Sequence, residues 1–331
     1  MMDNKQMGFY MRKFILFYIA IMLSFAPMSV YAEGKKSHKH KAHISKKHKV
    51  SSKSRHHRLA SRKHKNVYTK AYDGSGPLQL ASSKVLVINQ LTGEKLFEKN
   101  TNQPTPIASV TKLMTAMVML DAHLPMDEVL AISNQDVDYL KGTHSRLSVG
   151  TELTRAELLQ LALMSSENRA ASALGRNYPG GMQAFLSAMN RKAASLGMNA
   201  THFYDATGLD SANVSTAEDL AKMVNAAYHY PEIRQVSTAA SQEITLHGGS
   251  NNFVNTNALV RRGDWVIGLS KTGFINEAGR CLVMQAEISG QPMIIVLLNS
   301  VGKMSRIGDA NRIRKWIEHN EMASLGHRVN G

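Results

Sequence analysis

The sequence predicts an α+β domain in which an antiparallel sheet is flanked by a block of helices. Three observations favour this fold class. Two strand-like segments joined by a short turn come first, a long helical stretch follows, and strand-like segments return before one last helix. Strands grouped on both sides of a helical block are typical of an α+β architecture. We therefore expect the first hairpin and the late strands to meet in one sheet.

The elements follow from local patterns. Residues 84–89 and 94–99 flank Thr92-Gly93 and predict a hairpin. Pro104 and Pro106 lead into an apolar helix at about 107–123. Ser215 and Glu218 have the spacing of a capping box at the start of another helix. The remaining predicted elements are helices at 155–164, 169–177, 181–196 and 216–229, strands at 243–246, 264–270, 280–288 and 293–299, and a closing helix at 307–319.

The N-terminus predicts export. Arg12 and Lys13 precede an apolar run at 14–25, and small residues at 30–32 suit cleavage before Glu33. We interpret residues 1–32 as a signal peptide, because the run is shorter than the ~20 residues that a membrane span needs. The alternative interpretation is an uncleaved membrane anchor.

A basic, low-complexity segment follows the signal peptide. Residues 34–70 contain 11 Lys, 3 Arg, seven His and no acidic residue, and so carry +14 of the net charge of +15. Because this segment has almost no large apolar residues, we expect a disordered tail and linker at 33–77. An exported tail predicts anionic wall or membrane surfaces as partners and no specific nucleic acid. Adventitious metal binding by the histidines is the alternative role. The folded domain is then predicted at 78–320, with a C-terminal tail at 321–331.

Several function classes lack their motifs. The sequence has no G-x-S-x-G elbow, no H-E-x-x-H zinc motif and no P-loop, so we expect no metal and no cofactor. His202, His229 and His247 are scattered singly along the chain. Cys281 is the only cysteine and lies in an apolar run, which predicts a buried structural thiol and excludes an intramolecular disulfide.

Ser109 and Lys112 form the first candidate catalytic pair. A serine three residues before a lysine on a helix places both side chains on one face, about one turn apart. At a helix N-terminus, free N–H groups favour the negative charge that develops on an attacked carbonyl. The spacing alone is weak, because Ser300 and Lys303 repeat it around Gly302, a poor helix former.

Serine becomes a nucleophile only when a base removes its proton, and a lysine can be that base only when it is uncharged. We expect burial against the apolar helix to lower the pKa of Lys112, and a second cation at Lys271 to lower it further. Ser109 is thus the predicted nucleophile and Lys112 the predicted general base.

Ser166 and Asn168 follow an apolar helix end and form the second candidate group. Helix capping is one interpretation, since serine and asparagine are favoured cap residues. Their place between two other motifs supports another. In that interpretation Ser166 relays a proton to the leaving amine, and Asn168 holds the substrate backbone.

Lys271, Thr272 and Gly273 follow a predicted strand and form the third group. Glycine permits the close approach of a ligand backbone to a sheet edge, where an extended peptide can add as a strand. Lys271 and Thr272 would then bind a substrate carboxylate, and the N–H groups of Phe274 and Ser109 would form an oxyanion hole. The alternative interpretation is an ordinary strand end.

Taken together, these motifs resemble those of low-molecular-mass penicillin-binding proteins. The resemblance spans about 78 to 319 and rests on Ser109-Val110-Thr111-Lys112, Ser166-Glu167-Asn168 and Lys271-Thr272-Gly273, on their flanks at 106–116, 163–171 and 271–279, and on 205–209 and 213–220. It implies a serine β-lactamase/DD-peptidase-like fold, a periplasmic location, an acyl-serine intermediate, peptidoglycan stem peptides as substrates and β-lactam antibiotics as acylating inhibitors.

Within this family the chain is most similar to the D-alanyl-D-alanine endopeptidases, especially at 165–168 and 255–259. That similarity implies hydrolysis of D-Ala–meso-diaminopimelate cross-links. A D-alanyl-D-alanine carboxypeptidase that trims pentapeptide stems would use the same residues. A non-catalytic peptidoglycan-binding protein is the alternative of a different class. Sustained β-lactamase turnover is not expected, because no Glu-x-x-x-Asn motif lies between Asn168 and Lys271.

Overall fold

The computed structural model describes residues 72–246 and 248–329, with side chains through residue 321. The predicted signal peptide, most of the predicted tail and His247 lie outside the described residues. In the part of the chain that is described, no helix is long and apolar enough to cross a membrane.

The described elements follow one another in the order that the sequence predicts. The strands are β1 (Ser82–Asn89), β2 (Lys95–Lys99), β3 (Thr105–Pro106), β4 (Val129–Ala131), β5 (Glu152–Thr154), β6 (Val214–Ser215), β7 (Ser241–Leu246), β8 (Gly249–Val254), β9 (Val266–Ile275), β10 (Gly279–Ile288) and β11 (Gln291–Ser300). The α-helices are α1 (Lys112–Asp121), α2 (Arg155–Gln160), α3 (Asn168–Arg176), α4 (Gly181–Ser195), α5 (Ala217–Tyr228), α6 (Pro231–Thr238), α7 (Ala258–Arg262) and α8 (Ser305–Val329). Short 3-10 helices lie at Ala108–Thr111 and Asn134–Asp136, and a π-helical turn lies at Leu161–Ser165.

Five of these strands form one antiparallel sheet in the order β2-β1-β11-β10-β9. β1 pairs along its length with β11, from Ser82 opposite Ser300 to Asn89 opposite Met293. The prediction that the first hairpin and the late strands join in one α+β sheet is confirmed. β9 is an edge strand of this sheet: it pairs with β10 on one side and with none of the other sheet strands on its other side.

Helices cover both faces of the sheet. Residues 293–298 of the central strand β11 are all buried, and successive side chains point to opposite faces. Ile294, Val296 and Leu298 pack against the block of helices α1 to α6, and Met293, Ile295 and Leu297 pack against α8. Full burial of each such side chain contributes roughly 1.5–3 kcal/mol to folding. The resulting layers fix β9 and β10 against the helical block.

The structure corrects the predicted start of helix α5. Thr216 is the N-cap, and its side chain accepts a hydrogen bond from the Asp219 N–H at 3.1 Å. Ser215 instead pairs with β3, and Glu218 binds the Lys95 ammonium at 2.9 Å. The predicted capping box was wrong by one residue, because two neighbouring hydroxyl residues precede the helix and only one has the required backbone position.

Seven of the described strands and α-helices were not predicted: the short strands β3, β4, β5 and β6, and also α6, β8 and α7. β8 contains Ser250, Asn251 and Asn252, residue types with low strand propensity, and it forms because β7 supplies its hydrogen-bonding partner. The closing helix α8 also continues through residues 321–329, which the sequence assigns to a C-terminal tail. No proline interrupts it after Ser305.

Candidate active site

Ser109 and Lys112 are in direct contact. Ser109 lies in the 3-10 helix Ala108–Thr111, and Lys112 begins α1. Lys112 is fully buried, and its Nζ lies 2.8 Å from Ser109 Oγ. We expected one continuous α-helix at 107–123. The observed 3-10 turn brings residues three apart into an eclipsed position, which suits direct contact between the two side chains.

Burial lowers the pKa of Lys112 to about 7, although the carboxylates of Asp205 and Glu167 oppose this shift. The effect of burial is thus the expected one. The predicted effect of Lys271 on the pKa of Lys112 is not resolved, whereas the charge of Lys112 contributes to the lowered pKa of Lys271. The neighbouring carboxylates keep the pKa from falling further. The amine is thus largely neutral just above neutral pH.

The contacts of Lys112 orient its neutral form. Its Nζ lies 2.7 Å from both Asn168 Oδ1 and the Thr207 carbonyl oxygen. Both atoms only accept hydrogen bonds, so they take the two N–H groups of the neutral amine. The remaining lone pair is left for the Ser109 hydroxyl, which is the arrangement that a general base requires.

A loop beneath Ser109 holds the Thr207 carbonyl in place. Asp205 Oδ1 accepts hydrogen bonds from the N–H groups of Thr207 at 2.7 Å and Gly208 at 2.5 Å. Gly208 has a φ of +81°, and a Cβ at this position would lie 1.9 Å from the Ala108 carbonyl oxygen. Only glycine permits this approach. Ala108 itself has a φ of +49°, so the turn that presents Ser109 is strained.

Ser166 and Asn168 lie in the site, and their side chains bond Lys271 and Lys112 and do not cap a helix. The expected helix at 155–164 ends as a π-helical turn, after which Ser166 adopts the left-handed conformation with a φ of +63°. Glu167 is the N-cap of α3 and makes no side-chain capping bond. Asn168 Nδ2 donates to Thr143 Oγ1 at 3.0 Å, which turns Oδ1 toward Lys112. A strained turn at this position is common in functional sites.

Lys271, Thr272, Gly273 and Phe274 lie within β9. The predicted strand end at residue 270 was wrong, because the ladder with β10 continues to Ile275. Strand pairing overrides the break that Lys-Thr-Gly indicates in the sequence. A Cβ at Gly273 would lie 2.9 Å from the Ile107 carbonyl oxygen and 3.2 Å from the Ser109 nitrogen, so this glycine lets β9 pack onto the Ser109 turn.

Lys271 links the strand to the second candidate group. Its buried Nζ lies 2.8 Å from Ser166 Oγ and 2.9 Å from the Thr272 carbonyl oxygen. Burial, followed by the charges of Lys112 and Arg306, lowers the pKa of Lys271 well below its ordinary value. A bound carboxylate would favour its charged form. Thr272 Oγ1 donates to Thr256 Oγ1 at 2.7 Å, which fixes that hydroxyl at the strand edge.

The three groups line one open cleft of about 420 Å³. Besides Ser109, Ser166, Asn168, Thr272, Gly273 and Phe274, the lining includes Lys141, Thr143, Leu209, Thr256, Ile275, Asn276 and Arg306.

Arg306 is the site residue for which the sequence offers no motif. Its Nε and Nη1 atoms are buried and have no hydrogen-bond partner within the described part of the chain. Unpaired buried guanidinium N–H groups are costly, and a carboxylate is their best partner. Arg306 therefore adds a guanidinium to the cleft, in addition to the Lys271 ammonium, for an anionic group of a ligand.

Comparisons with known proteins agree with this geometry. Residues 70–302 match the model of the D-alanyl-D-alanine carboxypeptidase family. A D-alanyl-D-alanine endopeptidase of Pseudomonas aeruginosa is 46% identical over 253 residues, which cover 75% of this chain and 82% of that protein. One of Escherichia coli is 46% identical over 242 residues, covering 72% and 78%. The crystal structure of the Streptomyces K15 DD-transpeptidase matches with a TM-score of 0.68 at 29% identity, covering 73% of this chain and 98% of that one.

Proposed function

Because this chain belongs to the D-alanyl-D-alanine carboxypeptidase family, we propose that it is a penicillin-sensitive serine endopeptidase that hydrolyses D-Ala–meso-diaminopimelate cross-links in peptidoglycan. The observation that carries the proposal is the buried Lys112 amine, 2.8 Å from Ser109 Oγ. The two relatives at 46% identity are named endopeptidases, whereas a carboxypeptidase of Streptomyces K15 is 32% identical over 69% of this chain.

Acylation begins when the Lys112 lone pair accepts the Ser109 proton. Ser109 Oγ then attacks the D-alanine carbonyl carbon, and the N–H groups of Ser109 and Phe274 stabilise the negative charge on the carbonyl oxygen. Both N–H groups lie where β9 packs onto the Ser109 turn. The neutral base thus removes the proton from the nucleophile, and the two N–H donors stabilise the charge that develops on the carbonyl oxygen.

The leaving nitrogen takes a proton from the Ser166 hydroxyl as the C–N bond breaks. Lys271, 2.8 Å from Ser166 Oγ, promotes the release of that proton through its charge. Lys112 Nζ and Ser166 Oγ are not hydrogen-bonded to each other, so Ser166 recovers its proton from the Lys112 ammonium through a water molecule in the cleft. The proton of Ser109 thus ends on the leaving amine, and Lys112 is neutral again. Lys112 then deprotonates a water molecule that attacks the ester carbonyl. As the ester C–O bond breaks, the Lys112 ammonium returns the proton to Ser109 Oγ, which restores both groups.

Lys271, Thr272 and Arg306 select substrates with a carboxylate beside the scissile amide. Terminal D-alanine carries such a carboxylate, and so does the D-centre of diaminopimelate in a cross-link. Asn168 holds the backbone on the other side of the bond. This recognition explains how one site can accept both substrates, and why β-lactams, which also carry a carboxylate beside an amide bond, acylate it.

Incubation of the purified mature protein with cross-linked muropeptide dimers, and separately with pentapeptide monomers, tests the choice between the two activities. We expect dimers to be converted to monomers at the higher kcat/KM, measured by chromatographic separation of the products. Release of terminal D-alanine without dimer cleavage would instead establish the carboxypeptidase. A protein that binds both substrates and cleaves neither would be a non-catalytic wall-binding protein.

The proposed location is the periplasm, because residues 1–32 are predicted to be a signal peptide and the proposed substrate belongs to the cell wall. The basic segment at 34–70 would hold the enzyme near anionic wall or membrane surfaces through its charge of +14.

Deleting residues 34–70 is expected to remove salt-sensitive retention on anionic wall or membrane preparations. Sedimentation with these preparations at low and high salt measures it, since salt screens such attraction within a Debye length of about 10 Å at 0.1 M. A matched control keeps the length of the segment and replaces its lysines and arginines with glutamine. Equal retention of the deletion variant at low salt would discard this role.

A further inference from the structure

An ion pair joins the two walls of the cleft at one end. Lys141 belongs to the loop between the Asn134–Asp136 turn and β5, and Glu277 lies in the turn between β9 and β10. Their Nζ and Oε1 atoms are 2.5 Å apart, with 27% and 43% of the two side chains exposed. Lys141 lines the same cavity as Ser109. The catalytic steps derived above do not use this pair.

The Lys141 loop is held rigidly. Asp138 accepts hydrogen bonds from the N–H groups of Leu140, Lys141 and Thr143, each at 2.9 Å, and from Thr143 Oγ1 at 2.7 Å. Thr143 in turn binds Asn168. The backbone of Lys141 is therefore held in a fixed position beside the catalytic group, and its ammonium contacts Glu277 across the cleft.

The position of the pair along β9 identifies the part of the substrate that it faces. Lys271 and Thr272 lie before Gly273, which packs on Ser109, and Asn276 lies beyond it. The leaving residue occupies the first end, so the acyl part of the substrate extends toward Asn276 and Glu277. At about 3.3 Å per extended residue, the residue before the cleaved D-alanine lies near the Lys141 end of the cleft.

We propose that Lys141 and Glu277 form a subsite for the zwitterionic side-chain end of the diamino acid that precedes the cleaved D-alanine. Its carboxylate binds the Lys141 ammonium, and its ammonium binds the Glu277 carboxylate. An exposed pair contributes little to stability, so exchanging these partners with the substrate costs little. This proposal rests on the proposed function, since it takes a peptidoglycan stem as the substrate.

Crossed changes to substrate and enzyme test the subsite. Three muropeptide dimers are compared: one unmodified, one with the side-chain carboxylate of the donor diaminopimelate amidated, and one with its side-chain amine acetylated. The wild type should lose roughly tenfold in kcat/KM on either modification. Lys141→Met should become insensitive to amidation while remaining sensitive to acetylation, and Glu277→Gln should show the reverse.

The chain supplies a matched control pair in Lys95 and Glu218, which lie 2.9 Å apart with 44% and 39% of their side chains exposed, outside the cleft. Lys95→Met and Glu218→Gln should keep the wild-type response to both modifications. Acylation by penicillin, which lacks the diamino-acid side chain, should change by less than about twofold in Lys95→Met and Glu218→Gln, since both residues lie outside the cleft and the Ser109 chemistry is intact.

Equal cleavage of all three dimers by the wild type would overturn the subsite, as would full sensitivity of both cleft variants to both modifications. Pentapeptide monomers carry the same third residue. If the wild type cleaves only monomers, the endopeptidase assignment fails while the crossed pattern on modified monomers still decides the subsite.

Discussion

Ser109→Ala is expected to abolish covalent labelling by a fluorescent penicillin and to lower dimer hydrolysis by a factor on the order of 10⁴ to 10⁶. The reason is that the acyl bond forms to Ser109 Oγ, and the other serine in the described lining of the cleft, Ser166, contacts Lys271 and not the Lys112 base. Labelling is measured by gel fluorescence and by the intact mass of the protein after reaction. The fold should be retained, because the hydroxyl makes its contact within the cleft.

A matched control for this variant is Ser187→Ala, which removes a serine hydroxyl on helix α4 that only bonds the Gln183 carbonyl oxygen. It should label as the wild type does. An unchanged thermal unfolding midpoint for Ser109→Ala would show that any loss is chemical. Labelling of Ser109→Ala at the wild-type rate would refute the proposed nucleophile.

The sequence could predict the catalytic pair because its two members are close in the chain and carry chemical side chains. The comparison with Ser300 and Lys303 shows the limit of spacing. Ser300 ends strand β11, where its buried hydroxyl bonds Ser82, and Lys303 is exposed beyond the strand. The same spacing thus has a different meaning in a strand end and in a helical turn. The signals that distinguished the two were Gly302 in one segment, and the preceding prolines and the apolar helix in the other.

Other parts of the site could not be predicted from local patterns. The acceptor that completes the Lys112 environment is the Thr207 main-chain carbonyl, and a carbonyl has no residue-type signal. Arg306 reaches the cleft from the start of helix α8, and nothing near it in the sequence differs from an ordinary amphipathic helix. Lys141 and Thr143 lie in a long irregular loop whose course depends on the hydrogen bonds of Asp138. Each of these depends on tertiary packing.

In the strand that carries Lys271, the sequence does give a local signal, but the tertiary fold overrides it. A lysine, a threonine and a glycine interrupt the apolar pattern, so the sequence indicates that the strand ends before them. In the fold, pairing with β10 continues past them, and the interruption marks the place where the strand faces the cleft. Local signals therefore fail here because the site requires a buried lysine and a glycine, residue types that ordinary strands contain less often.

Wild-type acylation by penicillin should rise about tenfold per pH unit below pH 7 and become level above it, following the neutral fraction of Lys112. Burial lowers the pKa of Lys112 to about 7, and the uncharged form, which alone can accept the Ser109 proton, predominates above that pH. The rate constant of acylation is measured by stopped-flow or quenched labelling across the pH range. An ordinary lysine would extend the rising limb to above pH 10.

Lys112→Met should lower that rate constant by roughly 10² to 10⁴ at pH 8, the range that a positioned general base contributes. Lys112→Arg separates the base from the charge, because a guanidinium keeps the cation and cannot lose its proton in a protein. Equal loss in both variants means that Lys112 acts as a base, whereas activity retained in Lys112→Arg would assign it an electrostatic role. In Lys112→Met the pKa of Lys271 should rise, since a neighbouring cation that lowers it is gone. The methionine variant therefore keeps the Lys271 charge that binds the substrate carboxylate and loses only the proton acceptor. We expect it to acylate slowly while keeping the wild-type preference among substrates.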